Sequence, residues 1–487
     1  MTSFPALSRD DDRQVDATRI ARAVRTSSGT THDLDEIGRW IDEQRPGMST
    51  DAEIVPLGQL AGWRLDPASG VLGHQSGRFF TVEGLRISMP GNAVPEWDQP
   101  ILNQPEIGIL GLLVREAGGA LECLVQAKAE PGNRNGIQIS PTVQATSSNQ
   151  AQVHGGAAIP YLEYFVDARR HRVITDVLQS EQGAWFLGKR NRNVVVEVDD
   201  PLEPLPGFRW LPVGLLHQLL AVDDLVNMDT RTVLSCLPFA ASDVAVRREA
   251  PGSGFPRSVL RSGDERSGCL IPTGKILSWI TERRSACRIE RTPMPLTELS
   301  GWRFTDAAIV HETGQFFEVI GVDVHATGRE VARWSQPMLA ARGTGLVAFL
   351  VRQISGVLHV LVQLRREPGI PGGVELAPTV QCTPDSYAHV PELPRPPFLD
   401  EVLGARPEQV RFDTFLSDEG GRFFHTRSRH LIVETDMAYD HPDYRWMACH
   451  QLDALLRHSD YINMQARSLL ACLRSQAVSD GPRWRRG

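Results

Sequence analysis

The chain contains the same set of motifs twice. Gly62-Trp63-Arg64 returns as Gly301-Trp302-Arg303, and Phe79-Phe80 as Phe316-Phe317. Trp97-x-Gln99-Pro100, Glu130-Pro131-Gly132 and Pro141-Thr142-Val143-Gln144 return as Trp334-x-Gln336-Pro337, Glu367-Pro368-Gly369 and Pro378-Thr379-Val380-Gln381, each 237 positions later. A constant offset means that the segments between the motifs match in length too, which is the signature of a duplicated structural unit. The match runs outward to Trp40-Ile41 against Trp279-Ile280, and to His217-Gln218-Leu219 against His450-Gln451-Leu452. Asn227-Met228 and Cys236 likewise meet Asn463-Met464 and Cys472. Whatever one copy folds into, the other must fold into as well.

At 487 residues the chain exceeds one ordinary core, and two units are the simplest division. The first repeat is expected over 31–248 and the second over 269–476. The Gly-, Pro- and Ser-rich segment 249–268 reads as a linker, and 1–30 and 477–487 as flexible tails. Each copy opens with an amphipathic helix, in the first over 34–44 with Ile37, Trp40 and Ile41 on one face. Strands follow. Over 121–129, Leu121, Cys123, Val125 and Ala127 alternate with Glu122, Leu124, Gln126 and Lys128, and 358–366 repeats the pattern. A polar strand over 189–193 leads into the β-branched run 194–198, with its counterpart at 430–434. Helices over 213–220 and 227–237 close the copy. This order predicts an α+β class, a mixed sheet flanked by helices and built twice.

Lys and Arg number 51 against 59 Asp and Glu, a net charge of −8 that gives no reason to expect nucleic acid. The seven cysteines are scattered without a CxxC or Cys/His cluster and read as reduced thiols. The first thirty residues carry charge throughout and lack the apolar run of a secretory signal, and no stretch is apolar enough to span a bilayer. A cytoplasmic protein acting on a small partner is expected. No GxGxxG after a strand, Walker A loop, GxSxG elbow or HExxH is present, so neither a cofactor nor a metal is expected.

Polar residues on strands with one apolar face are the candidates for chemistry, because that face is pinned and the other can converge on a ligand. Period two places Gln126, Lys128 and Glu130 on one side, just before the turn at Pro131-Gly132-Asn133. Thr142, Gln144 and Thr146 share a side, and so do Lys189, Asn191, Asn193 and Glu197, opposite Arg190 and Arg192. Each set also has a plain structural reading: an exposed ion pair for Lys128 and Glu130, the solvent side of an edge strand for the threonines, a solvated charge run for the arginines. Their joint richness in amides and guanidinium groups, which recognise hydroxyls and phosphates, favours a pocket. His154 lies between glycines in a loop. His217 and His450, within apolar helices, read as core histidines. Trp97 and Trp334 fit either stacking on a ligand or core packing.

The strings LVQAKAEPGN (124–133), ISPTVQAT (139–146), VHGG (153–156), PYL (160–162), LQSEQGAWF (178–186) and KRNRNVVVE (189–197) resemble the NDP-hexose 2,3-dehydratases of deoxysugar biosynthesis. LVQLRREPG (361–369), ELAPTVQ (375–381) and SDEGGRFF (417–424) resemble that family's second half. The resemblance implies a duplicated Nudix-like fold, a homodimer, and metal-free dehydration of dTDP-4-keto-6-deoxy-D-glucose. The product would be a 3,4-diketo-2,6-dideoxy sugar nucleotide, passed to a 3-ketoreductase. It also implies two sugar-nucleotide pockets per subunit, one of them inactive. A Nudix-type hydrolase and a non-catalytic binding protein are the rival readings; the Glu-rich magnesium helix of Nudix hydrolases is absent from the sequence.

That chemistry needs a base for the C3 proton, which is acidic because it lies next to the C4 ketone. It also needs an acid for the departing C2 hydroxyl and a cation for the enolate oxygen. Glu130 is expected as base or acid, His154 or Tyr161 as its counterpart, and Lys128 at the enolate. Trp97, Gln99, Gln126, Asn133, Thr142, Gln144, Glu181, Arg190, Asn191, Arg192 and Asn193 are expected to bind substrate. The second-copy counterparts are Trp334, Gln363, Arg365, Glu367, Thr379, Gln381, Arg427 and Arg429. Because Lys128, Asn133, Ser140, Asn191 and Asn193 become Arg365, Ile370, Ala377, Ser428 and His430, catalysis is expected in the first copy.

Overall fold

The computed structural model describes residues 9–26, 31–92, 94–146, 158–199, 201–240, 254–328, 331–390 and 393–477. Each copy builds a seven-stranded mixed sheet. In the first, Arg172–Ser180, Arg190–Glu197, Gly108–Ala117, Ala120–Ala129 and Phe208–Pro212 lie side by side, and the short strands Ile137–Ser140 and Val143–Ala145 pair at the ends of the two central ones. Only Arg190–Glu197 against Gly108–Ala117 is parallel. The second large sheet repeats this order strand for strand, from Val410–Ser417 to Tyr444–Ala448. The alternation over 121–129 holds: Leu121, Cys123, Val125 and Ala127 sink into the main core, while Leu124 packs on the opposite face with Tyr161, Phe165 and Phe208. The fold is α+β in two similar halves, as expected.

The halves are not independent. Each copy also forms a small antiparallel sheet, and the two exchange their first strands. Thr50–Val55 of the first copy pairs with Phe317–Ala326 of the second, while Glu290–Met294 of the second pairs with Thr81–Ser88 of the first. Each donated strand supplies main-chain partners that the host sheet's edge would otherwise lack. The expected boundaries at 31–248 and 269–476 therefore mark sequence repeats and not separable bodies. A single hydrophobic cluster runs from Ile37 of the first copy to Leu473 of the second, with Ile20 of the N-terminal helix joining it.

The expected N-terminal tail and the expected linker are helical over much of their described length. Within 1–30, Arg9–Thr26 is a helix whose Ala17, Ile20, Ala21 and Val24 recur at helical spacing and are buried. Within 249–268, Phe255–Ser262 is a helix that buries Phe255, Val259 and Leu260 against the second large sheet. At the centre, helices Met228–Cys236 and Met464–Ser475 pack on each other. Arg231 Nε donates to Ser468 Oγ at 2.7 Å, and Arg467 Nε to Thr232 Oγ1 at 2.7 Å, a reciprocal pair of buried guanidinium groups. All seven cysteines are free thiols. Among the described residues no helix is long and apolar enough to cross a membrane.

Candidate active site

The repeated Glu-Pro-Gly turns clasp the copies together. Gly132 N–H donates to Gly420 O at 2.8 Å, and Gly132 O accepts from His425 N–H at 2.9 Å. Gly369 does the same with Gly183 and Gly188, at 2.7 and 2.8 Å. A Cβ on Gly132 would stand 1.7 Å from Phe423 O, and one on Gly369 1.7 Å from Phe186 O, so only glycine permits either approach. Arg231 and Arg467 fix the same loops from behind by donating to Ser417 O and Ser180 O. The consequence is that the second copy's Asp418–Phe424 loop is drawn over the first copy's sheet.

Under that loop lies a cavity of about 1180 Å³, large enough for a nucleotide-sized ligand. The first large sheet contributes Lys128, Glu130, Gln144 and Asn191, and its neighbouring loops and helix contribute Glu181, Lys189 and Asp229. Trp63, His74 and Phe80 come from the first small sheet, Trp334 and Gln336 from the second, and Glu419 and Arg422 from the clasped loop. Lys128 Nζ stands 3.7 Å from Glu130 Oε1, which also accepts from Gln144 Nε2 at 3.1 Å. Asn227, the N-cap of helix Met228–Cys236, in turn holds Gln144 Oε1 at 3.2 Å. Glu181 Oε2 accepts from Asn191 Nδ2 at 2.9 Å, and Lys189 Nζ donates to Glu106 O at 3.0 Å. The Arg422 guanidinium lies over the Phe80 ring at 4.1 Å.

Six acidic residues line this one enclosure, and besides Glu106 and Asp323 they include Glu130, Glu181, Asp229 and Glu419. Burial pushes Glu419 up to about 7, reinforced by Glu130, and raises Glu181 against the pull of Lys189 and Arg467. Asp229 is raised well above the ordinary carboxylate range by burial, then by Glu419, Glu181 and Glu130. Burial lowers Lys189. The enclosure can therefore hold acids protonated and ionised near neutrality, as proton transfer requires. Among the described residues no group of three or more His, Cys, Asp and Glu is placed to hold a metal ion.

Of the expected first-pocket residues, the cavity gathers Lys128, Glu130, Gln144, Glu181 and Asn191. Gln126 borders a separate crevice of about 60 Å³ with Thr142. The Thr142 hydroxyl is engaged between strands, accepting from Leu113 N–H at 2.9 Å and donating to Leu124 O. Trp97 and Gln99 do not line the cavity: Trp97 Nε1 bonds Gln99, whose amide bonds Ala184 O, and their counterparts Trp334 and Gln336 take the place instead. Asn133 holds its own turn through Gly136 O, and Asn193 is buried on Asn191 O. Arg190 faces Asp460 of the second copy at 3.6 Å, and Arg192 makes a two-pronged pair with Asp176. The Tyr161 hydroxyl accepts from Leu205 N–H beside Phe208, so this expected acid also lies outside the cavity lining. His154 lies outside the described residues. Sequence reasoning missed Asp229, Glu419 and Arg422. The mismatch of Asn227-Met228-Asp229 with Asn463-Met464-Gln465 was the one available signal for the first of these.

The second copy keeps the connectivity with different chemistry. Arg365 Nε donates to Glu367 Oε1 at 2.8 Å, Gln381 Nε2 to the same oxygen at 3.1 Å, and Asn463 Nδ2 to Gln381 Oε1 at 2.8 Å. Gln363 bonds Pro378 O, and the Thr379 hydroxyl bridges strands as Thr142 does. Arg427 faces Asp224, and Arg429 pairs with Asp413, reproducing Arg190 and Arg192.

The model of the NDP-hexose 2,3-dehydratase family matches residues 34–237 and again 273–473. Three curated relatives bear the name dTDP-4-dehydro-6-deoxy-alpha-D-glucopyranose 2,3-dehydratase. The Streptomyces violaceoruber protein is 49% identical over 90% of this chain and 96% of its own length. The Saccharopolyspora spinosa protein is 47% identical over 90% of each chain. The Amycolatopsis orientalis protein is 42% identical over 98% of this chain and 99% of its own. With both copies matched and the cavity built between them, the chain belongs to the NDP-hexose 2,3-dehydratase family, whose members are hydro-lyases of sugar nucleotides.

Proposed function

We propose that the cavity over the first large sheet dehydrates dTDP-4-keto-6-deoxy-D-glucose to dTDP-3,4-diketo-2,6-dideoxy-D-glucose. The observation that carries this is the Lys128–Glu130 pair, held by Gln144 inside an enclosure of titratable groups. Glu130 takes the C3 proton, and Lys128 stabilises the enolate charge on the C4 oxygen. The enolate then re-forms the C4 ketone, the C2–O bond breaks, and water leaves. The resulting enol takes a proton at C2 and loses the one on its C3 hydroxyl, giving the diketone. In this reading Glu181 and Asn191 engage sugar hydroxyls, and Arg422 the diphosphate.

Several finer readings belong to the same proposal: a Nudix-like architecture for each large sheet, a homodimer in the cytoplasm, and a 3-ketoreductase that consumes the reactive product. The Arg365–Glu367 constellation is proposed as a supporting pocket without turnover. The test is incubation with dTDP-4-keto-6-deoxyglucose and EDTA in deuterated water, followed by reductive trapping. A 2-deoxy sugar with deuterium at C2 is expected. Unchanged substrate points to a binding protein, and silence under chelation with hydrolysis on added magnesium points to a hydrolase.

A further inference from the structure

We propose that Asp229 is the catalytic acid that hands a proton to the departing C2 hydroxyl, and that Glu419, brought in by the second copy, is its carboxyl partner. This rests on the dehydration reading above and supplies the acid that Tyr161 does not.

Asp229 sits in the first turn of helix Met228–Cys236, is 3% exposed and lines the cavity. Its carboxyl forms no hydrogen bond among the described residues, whereas Glu130, Glu181 and Glu419 each accept one. An acidic residue in a helix's first turn has an ordinary purpose, to complement the helix dipole. That purpose is best served by a charge in water and does not explain burial among three other carboxyls. Asn227 already caps this helix by accepting from Thr230 N–H at 2.9 Å. The matching helix, capped identically by Asn463, carries Gln465 and forms without the charge.

The two copies differ at both members of the pair together. Asp229 corresponds to Gln465, and Glu419 to Gln182. Each change keeps a polar group and removes a transferable proton. Both carboxyls line the first cavity, Glu419 being brought there by the clasp at Gly132, whereas the Gln182 amide donates to Met228 Sδ and Asp418 Oδ1. A requirement for polarity alone would be met by the amides.

The groups that act on Asp229 are Glu419 from the loop, Glu181 from the end of strand Arg172–Ser180, and Glu130 and Lys128 from the central strand. Three of these four are acidic, and together with burial they favour the protonated form. The step balances: the Asp229 O–H bond breaks, its proton joins the leaving oxygen, and the C2–O electrons depart with that oxygen as water. Asp229 is left ionised. The proton that the C3 hydroxyl releases on ketonisation restores it.

The experiment compares full-length wild type with Asp229→Asn on dTDP-4-keto-6-deoxyglucose in deuterated water. Wild type that forms no product overturns the dehydration reading itself. Given wild-type turnover, Asp229→Asn is expected to bind dTDP within about threefold of wild type and to lose kcat by roughly 10²–10⁴. Deuterium should still enter C3 of unreacted substrate, because the base is intact and only departure is blocked. Retention of kcat within about threefold, or loss of C3 exchange in step with kcat, overturns the assignment. Should Asp229→Asn not fold, the pH profile decides. Wild-type kcat is expected to fall on the alkaline side as the acid ionises, and Glu419→Gln to move that fall to lower pH by removing a like charge. A limb that stays in place overturns the pairing.

Discussion

In the first copy a flexible ammonium, Lys128, stands 3.7 Å from Glu130; in the second a guanidinium, Arg365, is locked to Glu367 at 2.8 Å and also bonds Gln381 O. Around the first pair are Asp229, Glu419, Lys189 and Arg422; at the equivalent positions are Gln465, Gln182, Thr426 and Trp185. Trp185 packs edge-on against Phe317 and Phe423 in a hydrophobic cluster. The Gln and Asn common to both copies therefore hold the strands and caps in register, and the shared glutamate keeps its place in both; the groups that differ are those that surround the proposed base Glu130 with partners able to move a proton or meet an anion. Duplication has kept one scaffold and left proton chemistry in one half of it.

The largest effect expected from this contrast is on turnover. Glu130→Gln should lower kcat by about 10²–10⁴, while Glu367→Gln changes it by less than about threefold, both read from diketo-sugar formation. Equal losses would break the distinction between the pockets. Where the copies agree, they should respond alike. Arg231→Met and Arg467→Met each strand buried carbonyl and hydroxyl acceptors. Each should cost roughly 3–5 kcal/mol of stability by chemical denaturation. A loss confined to Arg231→Met would mean that the reciprocal contacts are not equivalent.

The sequence made the duplication, the α+β class and the period-two faces legible, because identical motifs and apolar alternation are local properties. Lys128, Glu130 and Gln144 followed from them, since residues two apart on a pinned strand must share a face. The strand exchange was not legible: Thr50–Val55 buries no side chain fully and is held by main-chain hydrogen bonds that either small sheet could offer. Nor was Glu419, whose place beside Glu130 depends on a clasp between segments nearly three hundred residues apart. Charge in 1–30 reads as a flexible tail and Gly, Pro and Ser in 249–268 as a linker, yet a few apolar residues at helical spacing dock Arg9–Thr26 and Phe255–Ser262.

The raised carboxyls predict how stability depends on pH. Glu419 and Glu375 lie at about 7 and Asp418 at about 6 when folded, above their unfolded values. The folded state then binds more protons than the unfolded one in that window. Stability is fully present below the unfolded values and is lost as pH rises through 6 to 7. Without ligand, the melting temperature should fall by several degrees between pH 6 and pH 8. Glu419→Gln should shallow that fall, and Gln182→Glu, which adds an acid at the equivalent buried position, should steepen it. A flat profile in wild type would show that these carboxyls ionise freely.

The smallest effect is expected where the alternation placed arginines correctly but their partners lie outside the cavity. Arg192 and Arg429 each grip an aspartate across a strand, Asp176 and Asp413, with donor–acceptor distances of 2.7 to 2.8 Å and side chains 27 and 40% exposed. In both copies the pair is open to water, where screening leaves such bridges about 0–1 kcal/mol. Arg192→Ala and Arg429→Ala should therefore each lower stability by less than about 1 kcal/mol and leave KM unchanged. A tenfold rise in KM for Arg192→Ala alone would return this arginine to the diphosphate and make the outer strand, as well as the cavity floor, a place where the copies have diverged in function.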